Sequence, residues 1–555
     1  MKISEPIIIG IDLDNTIINY QTAFYTSALE SGCIGVGFPK DKKKIRDHIR
    51  HKEGGEKNWQ ILQSMVYGEK INNALLFKGV KGFLRYCNRQ NIPVYIVSHK
   101  TKYPKQGKLF DLREAALSFL CEKGIFSNNM IQKDKVFFES NREDKIQRIK
   151  KLKCTFFIDD LIETFMEPCF PEQTYKVLFD PGGNQSDRPS AVSKVLKSWS
   201  DILYYIDSKI SRKKIIEVVR STYPNKSFQE KKMGIKQLYN GRNSKISAVR
   251  YGDKRLIAKQ YINDDRDRMK REFQAYTYFA ENSFKNVPLL LGSNFERRIM
   301  LFEYIEGDWA GVQIPNNKDL DTIVSLILKI KETQGFTGIN FMPAADAFLS
   351  PEKSLWVLDR SIDAFHGSEN TDCKKEFDHF FKNELVPNYE MEKTRLLEFI
   401  SSSQFFLTKK LDKQLQVLNP SDLGFHNMIR DKNQNLYFLD FEYFGWDDPV
   451  KMILDFIIHP GMKLKTEQKA YFFNEMLKVF QADESLKTRI KMYLPIIILK
   501  WVLIILNVFK REYIQQRDKI LTQDISTIQK ARLISAKALL KKKEIWVDIV
   551  EGWQN

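Results

Sequence analysis

The sequence predicts an α/β protein of two domains, in which a parallel-sheet domain precedes a domain with an antiparallel sheet and a helical lobe. The chain has 555 residues, more than one hydrophobic core usually supports. Residues 1–205 contain short apolar runs that end in polar side chains, a pattern typical of buried parallel strands. Residues 238–261 instead alternate apolar and polar side chains around polar turns, which favours an antiparallel sheet.

The composition is that of a globular chain, with 43% hydrophobic and 28% charged residues. The net charge is +18, from 88 basic and 70 acidic residues. Because the basic residues are scattered and form no patch interleaved with aromatics, we expect phosphorylated small molecules rather than nucleic acid as partners. The six cysteines form no CxxC pair and no secretory signal is recognisable, so we expect a cytoplasmic protein.

One segment, MYLPIIILKWVLIILNVF at 492–509, is apolar enough to be weighed as a membrane span. It contains Pro495, Lys500 and Asn507, whereas a spanning helix needs about 20 residues with few charges. We therefore expect a buried helix of a large helical lobe and no membrane span.

The first apolar run, IIIGIDLDNT at 7–16, ends in two carboxylates, Asp12 and Asp14. In open α/β sheets the ligand crevice lies beyond the carboxyl ends of the strands. The two-residue period of a strand places both side chains on one side. Because adjacent carboxylates repel, the pair requires a divalent cation or a shared proton. Taken alone, Asp14 is equally typical of a turn.

Two further runs end in polar side chains. NIPVYIVSHKT (91–101) ends in Ser98, and KCTFFIDDLIET (153–164) ends in Asp159 and Asp160. Between them NREDKIQRIKKL is helix-like near Lys145. We expect these side chains to meet at one edge of the sheet.

These four motifs, in this order, resemble those of the haloacid dehalogenase superfamily over about residues 1–205. The resemblance implies a Rossmannoid parallel sheet in a domain of residues 1–208, with a small helical cap at about 20–80. It implies that Asp12 is the nucleophile that takes the phosphoryl group. It further implies that Asp14 is the general acid and then the base for water, as in a phosphatase.

The same resemblance implies roles for the later motifs. Ser98 and Lys145 bind the phosphoryl oxygens. Mg²⁺ is held by Asp12, the Asp14 carbonyl and Asp159, with Asp160 assisting.

The second half begins after a linker or helix at 209–230. In LYNGRNSKISAVRYGDKRLIAKQY (238–261), the turn at Gly241 brings backbone N–H groups near phosphates, and Lys259 lies on an alternating strand. A helix-like run that contains Glu272 follows. RRIMLFEYIEG (297–307) then gives a strand that ends in Gly307.

The strongest signal of this half is LNPSDLGFHNMIRDKNQNLYFLDFEYFGWDDP at 418–449. Asp422 is followed by Asn427, a hairpin and a strand that delivers Asp440. A nucleotide kinase needs this set, a carboxylate to orient the acceptor hydroxyl and an amide and second carboxylate to hold Mg²⁺.

Together these segments resemble the aminoglycoside phosphotransferase and choline kinase family over about 230–555. The resemblance implies a bilobal, protein-kinase-like (α+β) fold, with an N-lobe at 231–305 and a helical C-lobe at 306–555. It implies that Lys259 contacts the phosphates of ATP and is held by Glu272. The linker around Glu303–Ile305 would receive the adenine.

One departure concerns the catalytic motif. The family pattern HGDxHxxN reads PSDLGFHN at 420–427, which loses both histidines and keeps the Asp–Asn spacing. We expect His426 to be structural and the activity to survive. Asp447, Asp448, Asp455 and His459 either face the acceptor pocket or serve as caps and turns.

We therefore expect a bifunctional enzyme, a Mg²⁺-dependent phosphatase fused to an ATP-dependent small-molecule kinase. Its partners would be a phosphorylated substrate and a hydroxyl acceptor, for instance a sugar or polyol for surface-polysaccharide synthesis. The alternatives are a phosphatase regulated by a nucleotide-binding pseudokinase domain, and an antibiotic-modifying kinase with an accessory domain. The sequence does not indicate the substrates or the oligomeric state.

Overall fold

The computed structural model describes residues 6–127, 129–183, 190–224, 233–240, 243–262, 266–365, 373–403, 405–510 and 525–554. The chain divides into two compact units, Met1–Ile210 and Ser211–Asn555. The boundary falls within one long helix, Trp199–Thr222.

The first unit alternates strands and helices. In chain order these are β1 (Ile9–Ile11), β2 (Ile18–Asn19), α1 (Gln21–Glu30), α2 (Lys42–Arg50), α3 (Gly55–Tyr67), β3 (Leu75–Leu76), α4 (Val80–Arg89), β4 (Val94–His99), α5 (Leu112–Glu122), β5 (Val136–Glu139), α6 (Arg142–Lys151), β6 (Phe156–Asp159), α7 (Ile162–Met166), β7 (Tyr175–Phe179), β8 (Lys194–Leu196) and α8 (Trp199–Thr222).

The main sheet of this unit has six parallel strands in the order β5-β4-β1-β6-β7-β8. Its central strand β1 is fully buried, and Ile11 pairs with Ile96 on β4 and Ile158 on β6. Gly10 is required there, because a Cβ atom would lie 2.5 Å from the ring of Phe157. The carboxyl ends of β4, β1 and β6 are therefore neighbours at one edge of the sheet.

A small helical insert separates β2 from β3, which pair in an antiparallel two-stranded sheet. Its helices α1, α2 and α3 share a core in which Trp59 stacks on Phe24, with ring centroids 5.0 Å apart. We call residues 20–74 the cap.

The second unit combines one larger sheet, several short strands and many helices. In chain order its elements after α8 are β9 (Gly234–Asn240), β10 (Ser244–Tyr251), β11 (Lys254–Tyr261), α9 (Arg268–Glu281), β12 (Leu290–Asn294), β13 (Ile299–Glu303), β14 (Gly307–Trp309), α10 (Asn317–Thr333), α11 (Pro351–Asp363), α12 (Lys374–Phe380), α13 (Val386–Ser401), β15 (Val417–Asn419), β16 (Met428–Asp431), β17 (Leu436–Phe438), β18 (Gly445–Asp447), α14 (Pro449–Ile458), α15 (Thr466–Val479), α16 (Leu486–Ile505), α17 (Ile525–Lys541) and α18 (Lys543–Gln554).

The larger sheet is antiparallel, with strand order β12-β13-β11-β10-β9. On one face the α9 residue Tyr276 packs on Phe302 of β13, with ring centroids 4.7 Å apart. On the other face Val218 and Val219, near the end of α8, share a core with Leu301 of the same strand. The predicted linker at 209–230 thus contains helical residues that cover the sheet.

The helical lobe is organised around α16, which packs against α11, α13, α14, α17 and α18. Within the part of the chain that the structure describes, the stretch Leu486–Phe509 is the one helix long and apolar enough to span a membrane by length and composition. It has a mean hydropathy of 2.2, and 83% of its apolar window is buried inside the protein.

Candidate active sites

The first candidate site lies where β1 and β6 end. Asp12 directly follows β1, Asp159 is the last residue of β6, and both are buried. Lys145 of α6 reaches between them, and its Nζ donates to Asp12 Oδ1 at 2.6 Å and to Asp159 Oδ2 at 2.7 Å. Asn141 caps α6 by accepting from the Asp144 N–H, which fixes the helix start that delivers Lys145.

In this cluster three carboxylates surround a single ammonium group. Ligand oxygens of Asp12, Asp159 and Asp160 lie within 4.8 Å of one another, with Lys145 as the ammonium that bridges two of them. Burial raises the pKa of Asp12 to about 7, and the Asp159 charge adds to the rise while Lys145 opposes it. Burial and the charges of Asp159 and Asp12 likewise raise the pKa of Asp160 well above its ordinary value. A hard, all-oxygen ligand set with excess negative charge fits Mg²⁺.

Asp14 is held by two donors rather than by the cluster. Lys100 Nζ donates to its carboxylate at 2.7 and 3.0 Å, and the Tyr20 hydroxyl donates at 2.8 Å. The chain turns at Asn15, whose φ of 56° is a left-handed conformation that asparagine tolerates. These contacts fix the orientation of the Asp14 carboxylate, two residues beyond Asp12.

Ser98 lies near the end of β4, next to β1 in the sheet. Its side chain is 1% exposed, and its hydroxyl has no hydrogen-bond partner among the described residues. A buried, unsatisfied hydroxyl is rare and indicates a missing ligand atom or water.

Two lysines at this edge were missed by sequence reasoning. Lys100 could have been found, because it lies two residues after Ser98 on the same strand end. Lys42 of α2 gave no signal, because only the folded cap brings it to Asn15, whose side-chain oxygen accepts from its Nζ at 3.4 Å.

The second candidate site is built on β11 and α9. Lys259 Nζ donates to Glu272 Oε2 at 2.6 Å and to Asp440 Oδ1 at 2.6 Å. The Tyr261 hydroxyl donates to the same Glu272 oxygen at 2.8 Å, and the Phe441 N–H donates to the other at 3.3 Å. Glu272 is thus fixed on both oxygens, and it in turn fixes Lys259.

A further carboxylate, Glu442, joins this group and was also missed. Its Oε2 lies 3.9 Å from Lys259 Nζ, and its Oε1 accepts from Asn243 Nδ2 at 2.7 Å. Burial raises the pKa of Glu272 to about 7, because the charges of Asp440 and Glu442 add to burial and outweigh Lys259. The sequence signal for Glu442 was its position two residues after Asp440.

Asp422 and Asn427 lie on the loop between β15 and β16. Asn427 Nδ2 donates to the Asp422 carbonyl at 3.0 Å and to its Oδ2 at 3.1 Å. Asp422, Asn427 and Asp440 line the same small cavity. The structure therefore brings these three predicted residues to one place.

His426 contacts the other oxygen of this carboxylate. Its Nε2 lies 3.2 Å from Asp422 Oδ1, and its ring stacks on His459 with centroids 5.0 Å apart. Burial opposes ionisation of Asp422, yet the hydrogen bond and charge of His426 hold its pKa below the ordinary value. Burial and the neighbouring His426 charge lower the pKa of His459 to about 4.

Asp447 and Asp448 have structural contacts. Asp447 accepts from the Phe348 N–H at 2.8 Å, and Asp448 caps α14 by accepting from the Val450 N–H at 2.9 Å. Both carboxylates are buried.

The other two predicted nucleotide-binding residues are Gly241 and Glu303. Gly241 lies outside the described residues. Glu303 ends β13, where its side chain accepts from the Leu289 N–H at 3.3 Å. Its part in adenine binding stays a prediction.

Comparison with known proteins gives structural similarity alone. No protein-family profile and no curated protein matches the chain. A choline/ethanolamine kinase family protein from Mesorhizobium loti is similar at 16% identity, with 57% of this chain and 92% of that chain covered and a TM-score of 0.36. A choline kinase from Cryptosporidium parvum Iowa II is similar at 12% identity, 61% and 98% coverage and a TM-score of 0.40.

A spectinomycin phosphotransferase bound to ADP and spectinomycin is similar at 12% identity, with 55% and 92% coverage and a TM-score of 0.39. At these identities and TM-scores the similarities assign neither an activity nor a substrate to the chain.

Proposed function

We propose that the chain carries two phosphoryl-transfer centres, a phosphohydrolase of the haloacid dehalogenase type in Met1–Ile210 and an ATP-dependent small-molecule kinase in Ser211–Asn555. The observation that carries the proposal is a repeated arrangement. In each unit a buried lysine bridges two carboxylates at 2.6–2.7 Å, Lys145 in the first and Lys259 in the second. Both lysines occupy places where transferred phosphoryl oxygens need positive charge.

In the first unit Asp12 is the group that attacks phosphorus, since it directly follows the central strand at the carboxyl edge of the sheet. The leaving oxygen takes a proton from Asp14, and the same carboxylate then accepts a proton from the attacking water. Lys145 and the Ser98 hydroxyl, which has no hydrogen-bond partner among the described residues, bind the oxygens of the phosphoryl group. Mg²⁺ bound by Asp12, Asp159 and Asp160 would neutralise charge during transfer.

In the second unit Lys259 binds the phosphates of ATP and is kept in place by Glu272. Asp422 orients the acceptor hydroxyl and accepts its proton, while Asn427 and Asp440 hold Mg²⁺ on the nucleotide phosphates. The missing motif histidines would favour a pseudokinase. The contacts of His426 and Asn427, one on each oxygen of Asp422, instead favour a working base.

The surroundings of Asp422 do not favour a polycationic antibiotic as acceptor. The ring nitrogens of His426 and His459 lie within 4.8 Å of the Asp422 carboxylate. The neighbouring Asp455 is paired with Lys451 at 3.1 Å and with Lys500. Because two imidazole rings flank Asp422 and two lysines engage Asp455, a neutral hydroxyl acceptor such as a sugar or polyol fits better than a polycation.

Paired single-site variants test the two centres separately. Purified wild-type protein should release phosphate from a panel of phosphorylated metabolites, and Asp12→Asn should abolish this release. The wild-type protein should also convert ATP to ADP in the presence of a hydroxyl acceptor, and Asp422→Asn should abolish that conversion.

Metabolite profiling of cells with either variant should show a different phosphorylated compound accumulating in each. Nucleotide binding without turnover on any sugar, polyol or amino alcohol would instead indicate the pseudokinase alternative. Phosphate release that survives Asp12→Asn would reject the phosphohydrolase.

A further inference from the structure

Lys42 of the cap is a cation that the chemistry above does not use. It is the first residue of α2, and its side chain is partly buried. Its Nζ donates to the Tyr67 hydroxyl at 3.0 Å and to Asn15 Oδ1 at 3.4 Å. It also lies 4.9 Å from the centre of the Phe24 ring. All of these partners are neutral.

No carboxylate pairs with Lys42 within 4.0 Å among the described residues. The other lysine at this edge, Lys100, differs, because its Nζ is 2.7 Å from Asp14 Oδ2. Burial lowers the pKa of Lys42, but Tyr67 and the more distant charges of Asp160 and Asp14 outweigh burial and raise it. Lys42 is therefore charged at neutral pH without a counter-ion in contact.

The position of Lys42 relates it to the phosphoryl centre. Asn15 directly follows Asp14, and Tyr67 packs edge-on against Tyr20, the donor to Asp14, with ring centroids 4.8 Å apart. The Lys42 ammonium thus stands beside the residue that protonates the leaving group. A group attached to the leaving oxygen would meet the cap on this side.

Withdrawing an ammonium from water without an ionic partner costs free energy, and a neutral side chain would fill the same place without that cost. A ligand anion that binds there would supply the missing counter-charge. Because the reacting phosphoryl group is bound at Asp12, Ser98 and Lys145, this anion belongs to another part of the substrate.

We infer that Lys42 binds a second anionic group, a carboxylate or a second phosphate, on the leaving-group side of the phosphorylated substrate. The inference rests on the phosphohydrolase proposed above and adds the substrate class, a phosphate ester with a further negative charge. Asn15 and Tyr67 position the ammonium for this contact.

Two probes that differ in one charged group test the inference. 3-Phosphoglycerate carries a carboxylate where glycerol 3-phosphate carries a hydroxyl-bearing carbon. A hydrogen bond to a charged group contributes about 1.5–3 kcal/mol, so wild-type protein should prefer the carboxylate in kcat/KM by about 10- to 100-fold. In Lys42→Met this ratio should fall towards one, mainly through KM, and Lys42→Arg should restore part of it.

Lys43→Met is the matched control, because Lys43 is exposed on the same helix. It should keep the wild-type ratio. An equal loss of kcat/KM for both probes in Lys42→Met, or a wild-type ratio near one, would overturn the inference.

Binding gives a second readout that needs no turnover. In an Asp12→Asn background, calorimetry should show tighter binding of 3-phosphoglycerate than of glycerol 3-phosphate, and Lys42→Met should remove the difference. Equal affinities before that change would also overturn the inference. A failure of the proposed phosphohydrolase appears separately, as the absence of Asp12-dependent hydrolysis of either probe.

Discussion

Lys259 Nζ lies 2.6 Å from Asp440 Oδ1, which connects β11 to the loop after β17. Asp440 has a φ of 65°, a left-handed conformation that is uncommon for residues other than glycine. Glu272 holds the same ammonium from α9. Lys259 therefore holds carboxylates from α9 and from the loop after β17 in one group.

Replacement of this lysine should abolish most ATP-dependent activity. In Lys259→Met the phosphates lose their cationic partner, and we expect kcat/KM to fall by about 10²- to 10³-fold. The measurement is ADP release with a hydroxyl acceptor. Asp12-dependent phosphatase activity of the same preparation serves as the control for folding of the first unit. Full kinase activity in the variant would contradict the role given to Lys259.

His426 should contribute to phosphotransfer through Asp422. Because its ring fixes one carboxylate oxygen at 3.2 Å, His426→Ala should lower kcat by about tenfold and leave KM for ATP little changed. His379→Ala is a suitable control, since this exposed histidine lies on α12. An unchanged kcat would support the purely structural role that the sequence suggested.

The positions of the sheet-edge residues can be predicted because they follow from the order of apolar and polar residues along the chain. Asp12, Ser98 and Asp159 each lie at the end of an apolar run, and the ends of adjacent parallel strands meet. Lys145 could be placed because a helix start near a strand end reaches the same edge.

Residues that depend on packing could not be predicted in this way. Lys42 reaches Asn15 only through the packing of the cap helices, which the order of residue types along the chain does not specify. His426 returns to Asp422 because residues 425–427 form a 3₁₀ turn, and a one-residue shift of that turn would point the ring elsewhere. The sequence alone does not distinguish a cap from a ligand at Asp447 and Asp448, because caps and ligands share residue types.

Lys145→Met should destabilise the first unit and make it dependent on Mg²⁺. Removal of the ammonium leaves Asp12 and Asp159 buried without their shared partner, which costs about 3–5 kcal/mol. A divalent cation that binds the same carboxylates would recover part of this loss. Thermal unfolding with Mg²⁺ and with a chelator measures both effects. If Lys145→Met unfolded at the wild-type temperature, and Mg²⁺ raised that temperature no more than in the wild type, the role given to the Lys145 ammonium in this carboxylate cluster would be wrong.

The helical lobe should depend on one buried ionic network. Arg489 of α16 donates to Asp448 at 2.8 Å and to Asp483 at 2.7 Å, and all three side chains are buried. We expect Arg489→Met to lower the free energy of unfolding by about 3–5 kcal/mol, because two carboxylates are left without their partner. Urea denaturation measures the change. Lys491→Met, at an exposed position of the same helix, should change it by less than about 1 kcal/mol.

Lys469 of α15 should give the second unit a distinctive alkaline stability profile. Burial, with a smaller contribution from the charge of Lys542, lowers its pKa from 10.5 to about 8. Between these two pH values the unfolded chain binds more protons than the folded one, so the contribution of Lys469 to stability rises with pH. Above pH 10.5 the Lys469 amine is neutral in both states and its burial costs no charge desolvation. The cost of burying the charged ammonium grows as pH falls and is complete once pH has fallen through 8.

Urea midpoints from pH 7 to 10.5 measure this profile. Lys469→Met should be more stable than the wild type at pH 7, and the difference should shrink as pH rises, because the variant has no ammonium to bury. Lys541→Met is the control, since Lys541 is exposed and should leave the profile unchanged. A pH-independent difference between Lys469→Met and the wild type would show that Lys469 acts through packing alone.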